Sequence, residues 1–151
     1  MVLRSVLAAA ILGAVVVGCA SDAPVAMPTT SFVVGGTASP TGPRLWVRTP
    51  AVEDLSAPVE GTVRYDAAND CFLLDRNGVI SPVVWPIGTS VRPSGPTVVS
   101  AAGLEIELGQ YVAGAGGYLD VADSLRIPQA CLRSGPDVAV FNADSSLRIV
   151  P

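Results

Sequence analysis

From residue 59 onward, apolar and polar positions alternate in short runs broken by turn residues, which is the pattern of β-structure. Residues 59–65 read as a first strand, followed by the Asx-rich turn Asp66-Ala67-Ala68-Asn69-Asp70. A second strand over 71–74 and a third over 79–85 flank Arg76-Asn77-Gly78, and Asn-Gly is the strongest short hairpin signal. Pro82, inside the third run, predicts an edge position or a bulge, because proline donates nothing to a ladder. Pro86-Ile87-Gly88 bends the chain, and 97–100 with 104–108 form another hairpin around Ala101-Ala102-Gly103. The glycine-rich stretch 109–117 predicts a curved strand, as barrel corners require. Residues 120–125 read as one helical turn, 138–141 as the last full strand and 147–150 as an added edge. Turn signals about 8 to 12 residues apart define an all-β barrel or sandwich of five to seven short strands, with an OB-like barrel among the candidates.

The N-terminal part follows a different pattern. Arg4 precedes a nearly unbroken apolar run over residues 6–17, which with its flanks spans about 21 Å as a helix. A stable membrane span needs about 20 apolar residues, so this length fits a signal segment. The run closes on Val16-Val17-Gly18-Cys19, and there it resembles a bacterial lipobox. The resemblance implies that residues 1–18 are a lipoprotein signal peptide and that Cys19 becomes the mature N-terminus. It also implies that Cys19 carries a diacylglyceryl thioether, with acyl chains such as palmitate. Two chains matter, since each buried CH₂ contributes about 0.8 kcal/mol and one chain alone holds weakly. The expected location is the extracytoplasmic face of the cell membrane, held through Cys19. No twin arginine is present, which points to general secretion.

Residues 19–58 carry Pro24, Pro28, Pro40, Pro43, Pro50 and Pro58 and read as an extended, Pro-rich tether. Two apolar patches interrupt it, Phe32-Val33-Val34 and Leu45-Trp46-Val47. Each either hangs free or docks on the domain as an edge strand or strap, and a fully exposed Trp is uncommon. Residues 59–151 make up the small β domain. Over 59–142 the order Gly61-Thr62-Val63-Arg64-Tyr65-Asp66, Cys71-Phe72-Leu73-Leu74, Pro82-Val83-Val84-Trp85-Pro86, Gly116-Gly117-Tyr118, Cys131 and Val138-Ala139-Val140-Phe141 is similar to small exported domains recurrent in high-GC Gram-positive bacteria. That resemblance implies a fold and carries no activity.

Composition narrows the chemistry. All 9 basic residues are arginine, with no lysine and no histidine, against 13 acidic residues and a net charge of −4. Without histidine there is no Ser-His-Asp unit and no imidazole ligand. Without lysine there is no Schiff base and no Walker-type phosphate loop. The acidic balance argues against nucleic acid, which needs clustered Lys and Arg. None of these readings calls for a cofactor or a metal.

Once Cys19 is lipidated, Cys71 and Cys131 are the remaining thiols, and an even pair in an exported domain predicts a disulfide. Closing a loop of that length stabilises the fold by roughly 4 kcal/mol on the chain-entropy model. Glu105 and Glu107 share one face of a strand, about 7 Å apart at Cα, near the spacing of glycosidase carboxylates. Leu104, Ile106 and Leu108 take the other face, so plain strand alternation explains the pair. Asp66, Asn69 and Asp70, or Asp120 with Asp123, lack the spacing of a calcium loop and read as turn formers. Gly114-Ala115-Gly116-Gly117 lacks the strand and helix of a phosphate loop and reads as a corner. Trp85, Tyr65, Tyr111 and Tyr118 are core aromatics or a stacking platform, with Trp85, Tyr65 and Tyr118 the candidate binding surface. The expectation is a tethered, non-enzymatic module that binds an envelope protein or cell-wall polymer. The competing class is a small carboxylate hydrolase of envelope glycan using Glu105 and Glu107.

Overall fold

The computed structural model describes residues 43–48, 54–120, 122–142 and 147–151. The signal segment, Cys19 and the Phe32-Val33-Val34 patch lie outside them. In chain order the strands are β1 (Trp46–Val47), β2 (Ala57–Asp66), β3 (Cys71–Arg76), β4 (Val79–Trp85), β5 (Ser90–Val91), β6 (Val98–Val99), β7 (Glu105–Ile106), β8 (Tyr111–Asp120), β9 (Asp137–Phe141) and β10 (Arg148–Val150). A single 3₁₀ turn, Gln129–Cys131, precedes β9 among the described residues.

Five of these strands close on themselves. β2 pairs antiparallel with β3, β3 with β4, and β8 with both β2 and β9, while β4 and β9 close the ring in parallel. Numbered within the barrel, the order is 1-2-3-5-4-1 with strands 3 and 5 parallel, the Greek-key arrangement of the OB type. β10 extends β8, and β1 lies parallel on the end of β4, which completes a seven-stranded sheet. The three short strands β5, β6 and β7 form a second sheet between β4 and β8.

Strand period two sorts the side chains into an inside and an outside. Val59, Val63, Phe72, Leu74, Val83, Trp85, Val112 and Phe141 fill the barrel, capped by Val98 and Ile106 of the small sheet. Trp85 stacks on Phe141 with centroids 5.6 Å apart and meets Phe72 edge-on at 6.4 Å. Curvature comes from β8, where glycine is needed for close approach. A Cβ on Gly116 would stand 2.0 Å from the Val140 carbonyl oxygen, so no side chain fits there.

Three local expectations change. Pro82 lies not in an edge strand but within a barrel strand, as the last residue of β4 paired with β3. The partnership with β9 begins at Val83, so the missing N–H falls at the handover between two ladders. Residues 122–126 form a turn rather than a helical turn, closed by the Ile127 N–H donating to the Ala122 carbonyl at 2.9 Å. Of the two readings of the Trp46 patch, docking is observed. Val84 is bridged on both sides, to Trp46 of β1 and to Val140 of β9. Leu45 joins the barrel core, whereas Trp46 joins an apolar layer outside it.

Candidate functional site

That outer layer covers the face where barrels of this order take their ligands, across barrel strands 2 and 3. Cys71 and Leu73 of β3, Val84 of β4, and Val138 and Val140 of β9 point outward there and are buried. Their cover is the chain itself: Ala122, Leu125, Ile127 and Cys131 of the β8–β9 connection pack on them, beside Trp46. The cover is tied down at one end by three bonds. Cys131 forms a disulfide with Cys71, with Cα atoms 6.0 Å apart. Arg133 pairs with Asp66, the cross-strand partner of Cys71, and the Ile80 N–H donates to Ser134 Oγ at 2.8 Å.

The predicted aromatic surface is therefore redistributed. Trp85 is a correction: it is wholly buried inside the barrel and presents nothing to a ligand. Tyr65 is half-buried, rests on Phe72 and donates from its hydroxyl to Asp70 Oδ1 at 2.9 Å. Burial first, and then that bond to Asp70, push its hydroxyl up to about 12. Asp70 also accepts from the Arg44 N–H at 2.7 Å. Asp66 is held below the usual carboxylate range, first by the Asn69 amide and then by Arg133. These acids close a turn and fasten the cover. Among the described residues no three acidic or cysteine side chains gather as a metal site.

Tyr118 packs against the barrel core from β8, opposite Ala139 of β9. Its hydroxyl donates to the Glu60 carbonyl at 3.2 Å, and the Arg76 guanidinium lies 4.5 Å from its ring centroid. Tyr111 lies beside Glu60, and burial followed by the Glu60 charge raises its hydroxyl above the ordinary value. Glu60 also walls a shallow recess of about 320 Å³, facing Arg148 and Ser56 over a floor of Ala57, Pro58, Ala113, Gly114 and Ala115. The floor exists because β8 is built of small residues where it crosses β2. A second recess of about 270 Å³ lies beside Tyr65, bounded by Arg64 and the exposed Leu108.

Glu105 and Glu107 are both exposed, and Glu105 is held in an ion pair with Arg92. Nothing in the sequence marked out Glu60 or Arg148, which fall inside the strand runs 59–65 and 147–150. The covered face did carry a signal. Phe72-Leu73-Leu74, Val83-Val84-Trp85 and Val138-Ala139-Val140-Phe141 are continuous apolar runs, as strands buried on both faces are. No known protein family, curated protein or solved structure matches the chain.

Proposed function

We propose that this chain is a lipid-anchored, extracytoplasmic binding module of the cell envelope, tethered through Cys19. It recognises an extended envelope polymer or segment with the open β10–β8–β2 face. The observation that carries this reading is the Glu60-centred patch, where a recess of about 320 Å³ walled by Glu60 and Arg148 adjoins Tyr111, Tyr118 and Arg76. Carboxylate, guanidinium and tyrosine together offer hydrogen-bond acceptors, donors and a stacking surface. A shallow floor suits a chain lying along the sheet better than a small molecule, whose sites enclose most of the ligand.

The test is co-sedimentation of the full chain with isolated cell walls and with envelope extract, beside Glu60→Gln with Arg148→Ala and beside Cys19→Ala. The paired open-face variant is expected to lose at least tenfold in binding with an unchanged fold, and Cys19→Ala to leave the membrane fraction. Retention of full binding by the paired variant rejects the open face as the site. Release of wall glycan that disappears in Glu105→Gln replaces the module with a hydrolase.

A further inference from the structure

The connection over 122–136 is long for a loop in a compact domain and holds only the 3₁₀ turn Gln129–Cys131 as regular structure. It lies on the ligand face typical of its barrel type, with Leu125 and Ile127 inserted as its apolar contacts. Three fastenings gather at its far end: the disulfide to Cys71, Arg133 on Asp66, and Ser134 at Ile80. Arg126, midway along, is exposed with φ of 52°, a left-handed conformation unfavourable for a residue with a side chain.

We propose that the β8–β9 connection is a latched cover: the Cys71–Cys131 disulfide holds it shut over the outer face of β3, β4 and β9, and reduction by a dithiol opens that face. In the reaction, a thiolate of the reductant attacks one sulfur of the disulfide and releases the other cysteine as a thiolate. The second thiol of the reductant then displaces the bound cysteine. The reductant leaves as its own disulfide, and two electrons and two protons pass to Cys71 and Cys131. Both cysteines are buried, so attack follows a local opening of the cover, and the cover itself sets the rate of its release. Opening exposes Leu73, Val84, Val138, Val140 and Trp46 while Trp85 stays inside the barrel.

The experiment is limited trypsin digestion of the full chain, oxidised or treated with a dithiol reductant, read by mass and by tryptophan emission. Reduction is expected to speed cleavage after Arg126 at least tenfold and to red-shift Trp46, while the Arg64–Tyr65 bond in β2 stays protected. Cys71→Ser with Cys131→Ser is expected to behave like the reduced protein. Unchanged cleavage after reduction overturns the latch. Equal acceleration at Arg64 also overturns it, since the disulfide then supports the whole barrel. A Leu125→Ser variant with its disulfide intact is expected to keep most of its protection. If that variant opens as fully as the reduced protein, apolar packing is the latch and the proposal fails.

Discussion

On β3, β4 and β9 the outward positions Leu73, Val84, Val138 and Val140 lie beneath the chain's own cover, whereas on β2 and β8 they include Glu60, Thr62, Arg64 and Tyr111 and meet solvent. Inside, the same apolar core supports both sides. Leu125 and Ile127 on the covered side each contribute about 1.5–3 kcal/mol by burial, an upper bound on the extended-chain reference. The open side gains no comparable burial and carries the charges instead. Stability and recognition are thus divided between two faces of one barrel.

The sharpest way to break that division is at Gly116, where β8 passes from β2 to β9. Gly116→Ala is expected to cost about 3 kcal/mol or more in urea unfolding, because the backbone must yield rather than a flexible side chain. Gly95→Ala, with nothing within 4 Å of the new methyl, is expected to be nearly silent. Equal midpoints for the two variants would mean that β8 and β9 are not in close contact.

A smaller effect is expected at the other flank of the covered face, where β1 is anchored. Arg48 is buried, and its guanidinium donates to Asn142 Oδ1 at 2.6 Å. Asn142 Oδ1 also accepts from the Leu55 N–H at 3.0 Å, and its amide donates to the Leu55 carbonyl at 2.9 Å. Asn142→Ala removes all three bonds and is expected to cost about 2 kcal/mol. Amide exchange at Arg48, whose N–H donates to the Trp85 carbonyl at 2.8 Å, should rise with it. Protected exchange there would show that β1 stays docked without the Asn142 side chain.

The smallest effect is acid dependence, and it distinguishes the two sides. Asp66 fastens the cover, while Asp75 on the outer surface is held low first by the Gly78 N–H and then by Arg64. Both carboxyls ionise more readily folded than unfolded, so their contribution is present at neutral pH and fades as the pH falls below about 4. Asp66→Asn is expected to flatten the acid limb of the urea midpoint and to hasten trypsin cleavage after Arg126. Asp75→Asn should flatten the limb without touching that cleavage.

Much of the barrel was legible in the chain because strand alternation and turn chemistry are local. Asn77-Gly78, the Asx turn before Cys71 and the run 79–85 all fall where the pattern places them. The Cys71–Cys131 pairing followed from counting thiols on the expectation of export. Trp85 misled because its place beside Pro86 at a strand end resembles a binding rim, whereas Phe72 and Phe141, brought from distant strands, enclose it.

The sequence by itself determined the main barrel strands, the hairpin turns and the chemistry ruled out by the lack of histidine and lysine, since each depends on residue type or on neighbours a few positions away. Only the tertiary structure decided which strand faces are covered. Closing β4 against β9 in parallel brings Val84 beside Val140, residues far apart in the chain, and creates the apolar surface that Leu125 and Ile127 fill. Long-range closure of this kind also gathers Glu60, Tyr111, Tyr118 and Arg148 into one patch. No local pattern encodes that gathering, because the four residues share no period and meet only when the barrel is shut.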